Sequence, residues 1–166
     1  MLVSDGWTLN RGEHYKIPDG HGGVALERDS GNTGLAMLII DHPAKDGCDP
    51  SAGTIDLGPS VGDLVTFLAG QPLVDMSVNR DVTIDGYRGK YLEYARHGRQ
   101  EECGWGELGN WPGISFADIG ESHQVWILDV DGVRLVIAAF SRDVPGASET
   151  VIAEFRRIVE SIQIEP

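Results

Sequence analysis

The amino-acid sequence predicts a single α+β domain over residues 1–166, with a mostly antiparallel sheet and two helices packed on one face of it. Two β-rich runs in residues 124–140 flank Asp131-Gly132, a pair that favours the positive φ angles of a two-residue hairpin turn. A helical pattern follows at residues 148–162, with its apolar residues on one side. A hairpin that leads into a one-sided helix is typical of an α+β domain.

The segments before this hairpin are predicted to be strands joined by glycine-rich turns, with one helix among them. The helix 60–69 begins at Ser60, which is followed three residues later by Asp63, the spacing of a capping box. Gly70-Gln71-Pro72 ends this helix. The predicted strands are residues 7–9, 14–17, 24–27, 35–40, 75–79, 82–84 and 90–95.

The C-terminal helix carries a continuous apolar stripe at helical spacing. Its members are Val151, Ile152, Phe155, Ile158, Val159 and Ile162. Charged residues occupy the other side of the helix, as expected where one face packs on a sheet and the other meets water. Because Phe155 lies at the centre of the stripe, we expect its ring to be buried against the sheet.

Composition places the chain among ordinary globular domains with an acidic surface. It has 166 residues, of which 41% are hydrophobic and 23% charged, and its formal net charge is −13. Such a charge repels phosphate backbones and anionic lipids, so nucleic acid is not an expected partner. No apolar run approaches the ~20 residues of a membrane span. We therefore expect any membrane attachment to lie outside this chain.

The segment 96–122 is long for a connection and contains several aromatic residues. Loops beyond about 12–15 residues are uncommon and are usually functional or disordered. Trp105 and Trp111 argue against simple disorder. Their rings either form a binding surface in a recognition loop or fill the end of the hydrophobic core. We name Trp105, Trp111 and His123 as the ligand-binding candidates.

The residue patterns predict no catalytic residue, metal site or cofactor. Ser115 lies in a loose version of a nucleophile elbow, but no helix pattern follows it. Cys103 could pair with His97 or His123 as a thiol–imidazole couple, although a disulfide accounts for the same cysteine more simply. The fragment from Asp129 to Gly132 lacks the later ligands of a calcium loop, so a turn is the better interpretation.

The two cysteines, Cys48 and Cys103, each lie among turn-forming residues, and their spacing does not match a C-x-x-C metal or redox motif. Two interpretations are open from the residues alone. One is a single disulfide in an oxidising compartment, and the other is two free thiols in a reducing one.

Several short segments, in the order in which they occur, resemble the sequences of an uncharacterised family of actinobacterial exported domains. Members of that family are often lipoproteins or ectodomains behind a membrane anchor. The segments are residues 58–68, 82–93, 125–132 and 158–162, and the resemblance covers roughly residues 45–164. A cysteine before the first helix and another after the middle strands recur in that family, which implies a Cys48–Cys103 disulfide. The resemblance also implies an extracytoplasmic location, and a PsbP-like arrangement is the fold analogue we offer.

We therefore expect a non-enzymatic extracytoplasmic module that binds or senses an unknown small molecule or protein. A hydrolase whose site is assembled from loops is the second possibility, and a structural or protein-interaction module is the third. Geometry distinguishes them, because an enzyme brings titratable groups together in a cleft, whereas a binder presents an apolar pocket with few polar groups.

Overall fold

The computed structural model describes residues 8–10, 24–28, 33–40, 42–43, 45, 52–71, 74–96, 122–141 and 149–165. These residues form seven strands and two helices. In chain order they are β1 (Thr8–Asn10), β2 (Val24–Arg28), β3 (Thr33–Ile39), α1 (Val61–Ala69), β4 (Val74–Ile84), β5 (Tyr87–Arg96), β6 (Ser122–Val130), β7 (Val133–Ser141) and α2 (Glu149–Glu160).

The strands form one antiparallel sheet in the order β1-β2-β3-β7-β6-β5-β4. The predicted fold class, an α+β domain with an antiparallel sheet and helices packed against it, is confirmed. The predicted strand 14–17 lies outside the described residues. The chain thus forms two meanders, β1–β3 and β4–β7, which meet where β3 pairs with β7.

The hairpin predicted at Asp131-Gly132 joins β6 to β7 by a two-residue turn. Both turn residues have positive φ, 51° and 86°, because this turn follows the right-handed twist of the strands. The Asp129 carboxylate accepts a hydrogen bond from the Gly132 amide at 2.8 Å. Asp85-Gly86, with φ of 48° and 87°, makes the equivalent turn between β4 and β5.

Helix α1 begins with the capping box that the sequence predicts. The Ser60 hydroxyl accepts from the Asp63 amide at 3.1 Å, and the Asp63 carboxylate accepts from the Ser60 amide at 2.9 Å. Hydrogen bonds from the side chain and backbone of Ser60 lower the pKa of Asp63. These bonds satisfy amide groups that the first turn of a helix leaves without partners.

The two helices pack on opposite faces of the sheet, so the expectation that they share one face is wrong. The α1-face core is a cluster of buried residues comprising Ala36, Leu38, Ile40, Leu64, Leu68, Leu92, Tyr94, Val125, Ile127, Val136 and Ala138. The α2-face core comprises Leu26, Leu35, Ile84, Tyr91, Trp126, Leu128, Ile137, Ala139, Phe155, Ile158, Val159 and Ile162. Successive strand residues point to opposite faces. Because the central strands are apolar at consecutive positions, each face needs its own helical cover.

Strand β4 is continuous where the sequence predicts two separate strands. A register irregularity between Met76 and Val78 in its pairing with β5 marks a β-bulge. Before the bulge, Met76 packs against the α1-face core, and after it, Val78 and Val82 pack against the α2-face core. Polar and apolar residues alternate without a break through the bulge, and the predicted strand was divided further along, at Arg80 and Asp81.

The buried Arg134 connects three parts of the fold. Its side chain on β7 is 3% exposed and donates hydrogen bonds to the carbonyl oxygens of Gly58 at 2.6 Å, Ser60 at 3.0 Å and Ile40. A buried guanidinium requires such acceptors to compensate for its lost hydration. Arg134 therefore links the start of α1 and the end of β3 to strand β7 by hydrogen bonds.

We expect Gly89→Ala to destabilise the domain, because the backbone of the paired strand β6 lies very close to this glycine of β5. A Cβ atom at Gly89 would overlap the Ile127 carbonyl oxygen and lie 2.9 Å from the Leu128 Cα. Both neighbours are backbone atoms, so the strands would have to separate, at a cost of roughly 1–3 kcal/mol. Denaturant unfolding measures this loss.

The matched control is Gly62→Ala in helix α1. A Cβ at Gly62 would meet only the Ser60 hydroxyl oxygen, at 3.6 Å, an ordinary contact. This change should leave stability unchanged or raise it by about 0.5–1 kcal/mol, because glycine is a poor helix former. Equal losses from the two substitutions would contradict the close approach of the strands.

Candidate functional site

Charged and aromatic side chains meet on the α2 face near the β4 edge of the sheet. Arg80 comes from β4, Tyr91 and Glu93 from β5, and Arg156 from α2. We call these four residues the Tyr91 cluster. Arg80 and Tyr91 are direct partners in the β4–β5 pairing, and Glu93 follows two residues later on the same face. Strand register and one helix thus bring together residues from three elements.

The Glu93 carboxylate is the acceptor at the centre of the Tyr91 cluster. Arg156 Nη2 donates to Glu93 Oε1 at 2.7 Å and to the Tyr91 hydroxyl oxygen at 3.1 Å. The Tyr91 hydroxyl donates in turn to the same oxygen of Glu93. Bonds of this kind, in which one or both partners are ionised, are stronger than bonds between neutral groups. They hold Arg156 and Tyr91 in a defined orientation.

Tyr91 is a hydrogen-bond donor at neutral pH, because it keeps its proton. Burial, reinforced by the hydrogen bond to Glu93, raises the pKa of Tyr91 to about 12. The hydrogen bond with Tyr91 also raises the pKa of Arg156, which remains a cation. The cluster therefore holds fixed charges and a neutral phenol at physiological pH, with Glu93 between them.

Two guanidinium groups lie against the ring of Tyr91. The guanidinium carbon of Arg80 is 4.7 Å from the ring centroid and that of Arg156 is 5.3 Å from it. Trp126 packs on the same ring, with centroids 5.0 Å apart. A cation over an aromatic face is attracted by the ring quadrupole. Tyr91 therefore contacts two cations, beside the single carboxylate of Glu93.

Polar atoms at this place also lack partners among the described residues. Gln124 faces Glu93 across the β5–β6 pairing and is 1% exposed, and its amide oxygen has no hydrogen-bond partner there. The Nε of Arg156 is likewise buried without one. Unsatisfied buried polar atoms are few in native proteins.

His123, the one predicted ligand-binding residue that the structure describes, lies on the opposite face of the sheet. It is 1% exposed and stacks on Tyr94, its partner in the β5–β6 pairing, with ring centroids 5.3 Å apart. Burial raises the pKa of Tyr94 well above its usual value. The structure does not bring His123 into the Tyr91 cluster, and its role in binding remains a prediction.

The other predicted site residues lie outside the described part of the chain. These are the ligand-binding candidates Trp105 and Trp111, the disulfide candidates Cys48 and Cys103, and the weaker catalytic candidates Ser115 and His97. Within the described ranges, no group of three or more potential metal ligands occurs, and no helix is long and apolar enough to span a membrane.

Comparison with known proteins defines the fold. No family model matches this chain, and no curated protein is significantly similar to it. Two solved structures resemble it at 13% identity and a TM-score of 0.54. One is PA94 of Pseudomonas aeruginosa, a protein of unknown function described as a candidate regulator, with 97% of this chain and 99% of that chain covered. The other is the cyanobacterial PsbP (CyanoP) of Synechocystis sp. PCC 6803, with 98% and 84% covered. This chain therefore has a PsbP-like fold.

Proposed function

We propose that this chain is a non-enzymatic binding or sensing module that works outside the cytoplasm, as a secreted or membrane-anchored domain. The observation that carries the proposal is the Tyr91 cluster, in which charged donors converge at the sheet surface. The Arg156 side chain is 39% exposed and that of Glu93 is 23% exposed, so a ligand can reach both. Recognition sites combine a few fixed polar groups of this kind with apolar and aromatic surroundings.

The chemistry of the cluster favours binding over catalysis. General acid–base catalysis works best when the pKa of the group is near the operating pH. The pKa of Tyr91 is about 12, and arginine does not lose its proton in proteins. Glu93 is held by hydrogen bonds from Tyr91 and Arg156. Tyr91 and Arg156 can orient a ligand by charge and hydrogen bonding, and neither is suited to transfer protons at neutral pH.

The proposed compartment rests on the sequence. The ordered segments shared with actinobacterial exported domains support it, and so does the Cys48–Cys103 disulfide that this resemblance implies. Disulfides form and persist mainly in oxidising compartments. Membership of that exported family is part of the same proposal.

A screen by thermal unfolding, using the whole chain and a library of small metabolites and short peptides, tests the binding function. A ligand at 100 times its Kd adds about 2.7 kcal/mol to stability. For a chain of this size, that gain raises Tm by roughly 5–10 °C.

The same library, enlarged with chromogenic esters, phosphate esters and peptides, is assayed for turnover in parallel. We expect at least one compound class to raise Tm without being converted. Catalytic turnover would favour the hydrolase with a loop-assembled site, and failure of every compound to raise Tm would favour a structural or protein-interaction module.

A further inference from the structure

We propose that Arg80 and Arg156 form a binding site for a small carboxylate beside the Tyr91 ring. This inference rests on the proposed binding function and deepens it by naming the ligand class. The two guanidinium groups supply both the positive charge and the hydrogen-bond donors. The following observations support the site.

The charge of the cluster is the first support. Arg80 and Arg156 contribute two positive charges, and Glu93 compensates one of them through its bond to Arg156 at 2.7 Å. The neighbouring Asp81 does not compensate Arg80, because it faces the other side of β4 and forms an ion pair with Lys90 at 2.7 Å. One positive charge is therefore in excess at this place, in a chain whose net charge is −13. A cluster with an excess positive charge stabilises a bound anion.

The available donors are the second support. Within the described part of the chain, Arg80 contacts the Tyr91 ring and makes no hydrogen bond or ion pair, so its donors are available. The Arg156 side chain, which is 39% exposed, lies against the same ring. A guanidinium group presents its N–H donors as a planar fork that matches the two oxygens of a carboxylate. Arg80 thus has the chemistry to bind a carboxylate, and Arg156 is fixed beside it.

The size of the excess charge selects the ligand. One uncompensated positive charge matches a monoanion such as a carboxylate better than a doubly charged phosphate. The acidic remainder of the protein further disfavours a dianion, because its field repels negative charge.

The test is a titration of the whole chain at low ionic strength with benzoate and with benzamide, which matches benzoate in shape and lacks its charge. The readout is the NMR signals of the arginine Nε–H groups, assigned with the variants. We expect benzoate to shift the signals of Arg80 and Arg156, whereas benzamide leaves them in place. Acetate should shift the same signals, and inorganic phosphate should bind more weakly than benzoate.

Variants of equal charge change locate the site. Arg80→Gln removes an exposed guanidinium and should weaken benzoate binding about 10- to 100-fold, the loss of charge-assisted hydrogen bonds. Arg157→Gln, on the exposed side of α2, is the matched control and should change affinity less than about twofold. Arg156→Lys keeps the charge but loses the fork, and should give an intermediate loss.

The outcomes separate this inference from the proposed function. Equal binding of benzoate and benzamide, or unchanged benzoate affinity in Arg80→Gln, overturns the carboxylate site. Absence of benzoate and acetate binding, while another compound raises Tm in the thermal screen, overturns this inference and leaves the binding function in place. Catalytic turnover with no bound carboxylate overturns both.

Discussion

Phe155→Ala is expected to lower the free energy of unfolding by roughly 3–5 kcal/mol, the usual cost of removing a buried phenylalanine. Phe155 is 1% exposed in the α2-face core, where the sheet residues Tyr91, Trp126 and Ile137 are also buried. Truncation to alanine would leave a cavity between α2 and the sheet, and the surrounding side chains would fill it only in part. Because domains are typically stable by only about 5–15 kcal/mol, this loss is a large share of the total.

The measurement is denaturant unfolding at equilibrium, followed by circular dichroism. Glu160→Ala, at an exposed position of the same helix, is the control and should change stability by less than about 0.5 kcal/mol. A loss below about 1 kcal/mol for Phe155→Ala would mean that α2 does not contribute its central ring to the core.

Cys48→Ser is expected to cost about 4 kcal/mol, the chain-entropy estimate for a disulfide that closes a loop of about 55 residues between Cys48 and Cys103. The bridge would restrict the unfolded chain because it closes a long loop between two turn-rich segments. Both residues lie outside the described ranges, so chemistry is the means of testing the pair.

Two measurements decide the question. A thiol assay of the denatured, unreduced protein should find no reactive thiol. Cys103→Ser and the double variant should then cost as much as Cys48→Ser, because any one of these changes removes the same bridge. Two reactive thiols per chain would refute the disulfide and make a reducing compartment the better interpretation.

The elements predicted most accurately depend on neighbouring residues alone. Asp131-Gly132 requires only its own φ angles to form the hairpin, and Ser60 with Asp63 requires only three residues of spacing to cap α1. Such features are encoded within a few residues and can be recognised without knowledge of the rest of the fold.

The assignment of helices to faces depends on distant residues, and there the prediction was wrong. The consecutive apolar positions of the central strands, such as those from Val125 to Leu128, were the available sign that both faces of the sheet are buried. The bulge between Met76 and Val78 was hidden because polar and apolar residues keep alternating through it, so the sequence pattern does not show that the strand changes faces.

The Tyr91 cluster was not predicted, although one residue carried a detectable sign. Arg156 lies at the border of the apolar stripe of α2, four residues after Ile152 and three before Val159. A charged residue at such a position needs a partner on the sheet. That the partners are Glu93 and Tyr91 follows from strand register, which one sequence does not reveal.

The pairing of β3 with β7 makes assembly of the sheet a long-range event. Thr33 pairs with Ser141, so β3 and β7 come from distant parts of the chain. In contrast, each strand from β4 to β7 pairs with the next strand in sequence. Loop-closure entropy must be overcome before distant strands gain their contacts, and domains rich in such contacts fold slowly. In pulsed hydrogen exchange during refolding, the amides of the β4–β7 meander are thus expected to become protected first. Those of β1–β3 should follow, when these strands dock on the meander. Simultaneous protection of both groups would contradict this order.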